Sequence, residues 1–339
     1  MAGCPWPASP DTRSMRAGTG KPPLDAVGES GSDYDDNEPK TPSSSARLRS
    51  VAAEWARLGP DLSRTRRTSA AALDRRMTAV RHDGMCHDLP MAERVWFPST
   101  SGPRLAGLID NPTDRVRGWG VFAHGFTLGK DSPAASRICK QLASEGIGML
   151  RFDNLGLGDS EGDWGDGSFS RKVEDTAEAA GFMQASGRSV RLLVGHSFGG
   201  SAVIAAAHLV DKVRAVVSIG APYQPAHVEH NYDALLERIL KEGEAPFLIG
   251  GKALTFRRHF IEDVRSADLR GRIRTLRRAL LVMHSPTDNT VGIANASDIF
   301  RTARHPRSFV SLEGADHLLT QRDRASRAAR IIARGLTPI

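Results

Sequence analysis

The stretch Leu192-Leu193-Val194-Gly195-His196-Ser197-Phe198-Gly199-Gly200-Ser201 leaves a chain few ways to fold. An apolar run of strand character stops at Gly195, and Ala202-Val203-Ile204-Ala205-Ala206-Ala207 then reads as a helix packed on that strand. Between them lies Gly195-x-Ser197-x-Gly199, a turn so abrupt that Ser197 is expected in a strained backbone conformation, with glycines on either side to relieve the crowding. A turn of this kind projects its hydroxyl above the edge of a sheet. So loose a pattern also arises by chance in a chain with 33 glycines, so its meaning depends on its surroundings.

Those surroundings alternate between strand and helix. Glu93 to Phe97 and Arg104 to Asp110 read as two strands joined at Ser99-Thr100-Ser101-Gly102, a hairpin signal. Trp119 to Ala123 is a third strand, and Ser132 to Glu145 a helix closed by Gly146. Ile147 to Phe152 follows as a strand, and Val173 to Ala185 as a helix leading into the opening stretch. Beyond it come strands at Val213–Ile219 and Ala279–Met283, a helix at Val291–Ala303, a strand at Ser308–Leu312 and a helix at Leu318–Arg334. An initial hairpin followed by such alternation implies a mostly parallel sheet covered by helices on both faces.

The alternation lapses between Ala221 and Arg278. Tyr232 to Leu240 and Phe260 to Leu269 have helical character, and Phe247 to Leu254 reads as a short hairpin on Gly250-Gly251. An insertion at about residues 222–278 would lie over the sheet edge as a small cap. Phe247, Leu248, Ile249 and Phe256 would make it partly apolar.

The folded domain is expected over residues 91–339. Up to about Ser50 the sequence is rich in Pro, Gly, Ser and Asp and nearly free of aliphatic side chains, so it has too little apolar area to offset its ordering entropy. From Arg47 to Arg81 it becomes rich in Arg and Ala with weak helical patterning. Residues 1–90 therefore read as a disordered or dispensable N-terminal extension, either a tail or sequence upstream of the natural start at Met85 or Met91.

In a parallel sheet, ligands bind at the carboxyl ends of the strands. His124-Gly125-Phe126, Asp153, Ser197, Asp288 and His317 all fall just after strand ends. A serine hydroxyl is a weak nucleophile at neutral pH and needs a base, itself oriented by a carboxylate. On this architecture the order should be serine, acid, histidine. Asp288 lies in the loop His284-Ser285-Pro286-Thr287-Asp288-Asn289-Thr290-Val291, where it could otherwise serve as a helix N-cap. Of eleven histidines, His317 alone stands in the expected last-strand loop. His196 would point elsewhere, His284 ends a buried strand, and His227 and His230 lie in the insertion. Glu313 and Asp316 are weaker rivals to Asp288. Acyl transfer also needs donors for the oxyanion, for which the backbone N–H groups of Phe198 and Phe126 are the candidates, with the His124 side chain bracing the loop.

Taken together, His124-Gly125-Phe126, Arg151-Phe152-Asp153-Asn154-Leu155-Gly156-Leu157-Gly158-Asp159-Ser160, Gly195-His196-Ser197-Phe198-Gly199-Gly200, Asp288 and His317 resemble a serine α/β-hydrolase. The match runs from about Met91 to Arg334 and is nearest the branch of serine aminopeptidases and monoglyceride lipases. The His317 loop, Gly220-Ala221-Pro222 and Met283-His284-Ser285-Pro286 also resemble the hydrolase half of bacterial proteins fused to an OsmC-type peroxidase domain. No peroxidase half is expected, since the sequence stops at Ile339. The resemblance implies an α/β-hydrolase fold and a cofactor-free serine hydrolase cleaving an ester, thioester or amide of a small-molecule acyl substrate. An acyltransferase would share every one of these residues and is separated by product analysis with competing alcohols. A noncatalytic binding module on the same scaffold is separated by fluorophosphonate labelling of Ser197.

Other classes find no support. The formal charge of +7 resides largely in arginines on helix faces, such as Arg270, Arg272, Arg274, Arg277 and Arg278, without interleaved aromatics for base stacking, so no nucleic-acid partner is expected. No run approaches the about 18 apolar residues of a membrane span, so no stable membrane insertion is expected. Cys4, Cys86 and Cys139 are odd in number and far apart, which argues against a disulfide framework and for a reducing cytoplasm. Asp159 to Asp166 fails as a calcium loop, with Trp164 where glycine is needed and Ser170 where the bidentate Glu belongs. No metal, phosphate-loop or dinucleotide motif is present. Oligomeric state is not encoded in these motifs.

Overall fold

In the central strands, residue alternation sends side chains to two separate cores. Val121, Leu193 and Val216 enter one, while their neighbours Phe122, Val194 and Val217 enter the other. A sheet buried on both faces must be covered twice, and that requirement organises the molecule. The computed structural model describes residues 91–249 and 252–335. The expectation for residues 1–90, with Cys4 and Cys86, and the Gly250-Gly251 turn lie outside the described residues.

In chain order the strands are β1 (Ala92–Pro98), β2 (Arg104–Asp110), β3 (Gly118–Ala123), β4 (Ile147–Phe152), β5 (Val190–His196), β6 (Ala215–Ile219), β7 (Glu244–Ile249), β8 (Lys252–Arg257), β9 (Ala279–His284) and β10 (Arg307–Ser311). Eight of them form one sheet in the order β1-β2-β4-β3-β5-β6-β9-β10. β2 runs antiparallel to β1 and β4, and every other neighbouring pair is parallel. The alternation predicts this mostly parallel sheet, and the fold is the α/β-hydrolase fold that the resemblance implies.

The helices are α1 (Pro133–Ser144), α2 (Phe169–Ala185), α3 (Phe198–Ala206), α4 (Asp233–Glu242), α5 (Arg258–Ser266), α6 (Leu269–Arg274), α7 (Ala294–Thr302) and α8 (Arg322–Gly335). α1 and α8 cover one face of the sheet through Ile138, Leu142, Ala329 and Ile332. α2, α3, α6 and α7 cover the other through Met183, Val203, Ile273 and Ile299. None of the helices among the described residues is long and apolar enough to cross a membrane.

Several helix expectations need correction: α2 starts at Phe169 rather than Val173, and α7 spans Ala294–Thr302 rather than Val291–Ala303. The last helix starts at Arg322 rather than Leu318, because Leu319 adopts φ 54° and Asp316 accepts the Thr320 N–H and hydroxyl, which closes a turn ahead of the helix. The helical stretch at Phe260–Leu269 is two helices, broken where Asp268 accepts the Gly271 N–H at 2.8 Å and starts α6 afresh. Between β6 and β9, residues outside the main sheet form a 3-10 segment (Pro225–Asn231), α4, the separate β7–β8 hairpin, α5 and α6.

Candidate active site

Ser197 joins β5 to α3 with φ 55° and ψ −127°, the strained conformation expected of it. The two flanking glycines are required by close approach. A methyl at Gly195 would overlap the Gly199 carbonyl, and one at Gly199 would overlap the carbonyls of Ala123 and His124. The Ser197 N–H donates to the Ile219 carbonyl at 2.8 Å, which ties the turn to the neighbouring strand.

The three sequence candidates Ser197, His317 and Asp288 come together. The Ser197 hydroxyl lies 3.0 Å from His317 Nε2, and His317 Nδ1 lies 2.7 Å from Asp288 Oδ2. The other carboxylate oxygen accepts the N–H groups of Thr290 and Val291, both at 2.9 Å. Burial alone would raise the Asp288 carboxyl, but the bonds from His317 and those amides outweigh it and hold the group below the usual carboxylate range. An ionised Asp288 requires the imidazole proton on Nδ1, leaving Nε2 to accept from the serine. Gly220 backs this pair closely, since a methyl there would lie 3.4 Å from Asp288 Oδ2.

The rivals occupy other posts. Asp316 caps Thr320 and Glu313 is exposed, so neither meets His317. His284 is buried, donates from Nε2 to the Val291 carbonyl at 2.7 Å, and lies 3.7 Å from Asp288 Oδ2. His196 does not face the serine hydroxyl. Its Nε2 donates instead to the main-chain carbonyl of His317 at 2.6 Å, a contact that sequence reasoning missed.

The chain after β3 passes beside the serine, where a methyl at Gly125 would lie 3.3 Å from Ser197 Cβ. Thr127 then takes φ 51°, rare for a residue with a side chain, and turns the loop away. Phe198 is the first residue of α3, so its N–H belongs to a helix N-terminus, where partial positive charge favours an anion. Phe126 and Phe198 pack edge to face with centroids 5.8 Å apart. A cavity of about 490 Å³ opens over Ser197 and His317, walled by Phe126, Leu128, Val228 and Leu318 and by His227 and His230 of the 3-10 segment. Such a volume and lining suit a small organic ligand. Among the described residues no group of three or more His, Cys, Asp or Glu side chains could hold a metal ion.

Behind Phe126 and Phe198 lies a second cluster that the sequence did not disclose. Arg171, Lys172, Asp175 and Glu178 of α2 are all buried there. They border the loop that begins at Asp153, where Lys130 donates to Asp153 from both its N–H and its Nζ at 2.7 Å.

The comparisons agree with this fold. A family model described as alpha/beta hydrolase family matches residues 121–335. The solved esterase domain of a protein from Rhodothermus marinus is 39% identical, with 73% of this chain and 98% of that one covered and a TM-score of 0.59. Est1E from Butyrivibrio proteoclasticus, solved with ferulic acid bound, is 16% identical over 71% of this chain and 98% of its own, with a TM-score of 0.59. Mouse alpha/beta hydrolase domain-containing protein 10 is 17% identical over 71% and 97%, with a TM-score of 0.58. At these last two identities the likeness is one of fold. No curated protein matches the chain.

Proposed function

The chain belongs to the alpha/beta hydrolase family, and on that premise we propose that it is a serine hydrolase whose acyl-enzyme forms on Ser197. The reading is carried by one observation, the relay from the Ser197 hydroxyl through His317 to Asp288 at 3.0 and 2.7 Å on the wall of a cavity. Ser197 Oγ attacks the acyl carbonyl and passes its proton to His317 Nε2, while Asp288 holds the imidazole and stabilises its positive charge. The N–H groups of Phe126 and Phe198 receive the oxyanion. On collapse, His317 returns the proton to the leaving group, and water then releases the acyl group by the same steps.

The 39% identical esterase domain favours an ester among the ester, thioester and amide substrates open to this chemistry. The segment at about residues 222–278 acts as a small cap, since His227, Val228 and Asn231 close one wall of the cavity. The motifs at His124-Gly125-Phe126 and Asp153 to Ser160 support a reading nearest the serine aminopeptidase and monoglyceride lipase branch, and the His317 loop supports one near the hydrolase half of the OsmC fusions.

Turnover of p-nitrophenyl esters by wild type and Ser197→Ala tests the reading, together with fluorophosphonate labelling of the folded protein. The expected result is labelling at Ser197 and loss of turnover in the variant. Full turnover by Ser197→Ala would overturn it.

A further inference from the structure

A lysine facing the core of a helix needs a reason, because a buried ammonium loses its hydration. Lys172 on α2 is 6% exposed, and its Nζ donates to Asn154 Oδ1. The other end of that amide, Nδ2, donates to Asp175 Oδ2 at 2.9 Å. The same carboxylate accepts the Leu155 N–H at 3.2 Å and, through Oδ1, the Arg171 Nε–H at 2.7 Å. The Asp175 carboxylate only accepts, and it does so from three groups, so the Asn154 amide turns its NH₂ toward Asp175 and its oxygen toward Lys172, whose Nζ keeps N–H groups to donate whether charged or neutral.

The main chain of Asn154 then reaches the loop beside the nucleophile. Its N–H points at His124 Nε2 across 3.4 Å, long for such a bond, so it contributes little energy. What it does decide is the tautomer. With Nε2 facing a donor, the imidazole proton sits on Nδ1, which donates to the Gly125 carbonyl at 2.8 Å. That carbonyl and the Phe126 N–H belong to one trans peptide unit, in which they point in opposite directions. Holding the carbonyl therefore aims the amide. Packing of the Phe126 ring against Trp164, Phe198 and Phe260 anchors the side chain, and none of these ring contacts touches the carbonyl that orients this peptide plane. A small cavity of about 30 Å³ adjoins Lys172, Asn154 and Phe126, so close packing does not replace the polar contacts there.

We propose that Lys172 and Asn154 are positioning residues that act through His124 to aim the Phe126 N–H at the acyl oxyanion. The proposal rests on the role given to Phe126 under the proposed function. A relay of this kind belongs to the transition state: a misdirected amide weakens oxyanion binding and leaves ground-state ester binding almost untouched.

The test compares Lys172→Met, which keeps the chain length without a donor, with wild type. The readouts are kcat and KM on a p-nitrophenyl ester and the affinity of a trifluoromethyl ketone, whose hemiketal oxyanion with Ser197 reads the same amide. The expected result is a fall in kcat of roughly 10- to 100-fold, a matching loss of inhibitor affinity and a KM within about twofold. Unchanged kcat and inhibitor affinity in folded Lys172→Met would overturn the relay. Should that variant fail to fold, His124→Asn and His124→Ala decide. The asparagine keeps a donor for the Gly125 carbonyl and should retain the inhibitor affinity that alanine loses, and equal affinities would overturn the proposal. Fluorophosphonate labelling of wild type separates the two levels. A protein that labels at Ser197 and shows no variant effect loses the relay alone, whereas one that neither labels nor turns over loses both readings.

Discussion

The imidazole of His196 donates through Nε2 to the main-chain carbonyl of His317 at 2.6 Å, so the residue beside the nucleophile holds the backbone of its partner. His196 is 1% exposed and its Nδ1 has no hydrogen-bond partner among the described residues. Burial, reinforced by the neighbouring His317, pushes it down to about 4, so it is neutral at pH 7 with its one proton on the bonded nitrogen. The two loops that carry Ser197 and His317 therefore keep one spacing.

Replacing His196 with alanine should release the His317 loop. A shift of about 1 Å between reacting groups costs on the order of 100-fold, so a 10- to 100-fold fall in kcat is expected. Loss of the bond to the half-buried His317 carbonyl should also cost about 1 kcal/mol in urea unfolding. Ester turnover at the wild-type rate by a His196→Ala protein would show that His317 is held by other contacts.

Asp288→Asn should do more damage with less change of shape. Its Oδ1 can keep the Thr290 and Val291 N–H groups, which forces the new NH₂ toward His317 Nδ1. The imidazole must then accept at Nδ1 and carry its proton on Nε2, where it no longer takes one from Ser197. A fall in kcat of about 10³- to 10⁴-fold is expected, with near-native melting. Pre-steady-state kinetics on a p-nitrophenyl ester locate the loss in acylation, and a normal acylation rate would contradict the tautomer argument.

The fold and the three central residues were legible because each motif follows a strand end, where period-two burial stops and turn residues begin. Ser197 and His317 are 120 positions apart, yet the parallel pairings from β5 through β6 and β9 to β10 put both at one edge. Pairing order was less accessible: β3 inserts between β4 and β5, a choice made by how α1 and α2 cross the sheet rather than by any local pattern. The start of α2 was missed for an electrostatic reason. Ser168 caps it by accepting the Arg171 N–H at 2.9 Å, but the first core-facing turns carry Arg171, Lys172 and Asp175, and a hydropathy pattern assigns charged residues to the solvent side. The His196 contact was hidden similarly, since its partner is a backbone atom 121 positions later.

Gly181 offers a gain in stability. It lies inside α2, has no positive φ, and an added methyl would meet nothing within 4 Å among the described residues. Glycine in a helix interior costs roughly 0.5–1 kcal/mol relative to alanine. Gly181→Ala should therefore raise the unfolding free energy by about that amount with unchanged ester turnover. A lower melting temperature would mean that the helix needs flexibility there.

Lys172 makes the stability of the protein depend on alkaline pH. Burial, partly opposed by Asp175 and Asp153, pushes it from 10.5 to about 7. Between these values the unfolded chain holds the proton and the folded chain does not. The unfolded state thus binds more protons, and stability rises with pH by at most about 1.4 kcal/mol per unit. Cys139 acts in the opposite direction, because burial raises its thiol and the unfolded chain ionises first as pH passes about 9.0. The informative quantity is therefore the difference between wild type and Lys172→Met in urea unfolding at pH 7, 8 and 9. Wild type should gain stability relative to the variant across that range, and the gain should vanish below pH 6, where Lys172 is charged in both states. Parallel curves would mean that the core keeps Lys172 charged, with Asp175 and Asp153 outweighing its desolvation.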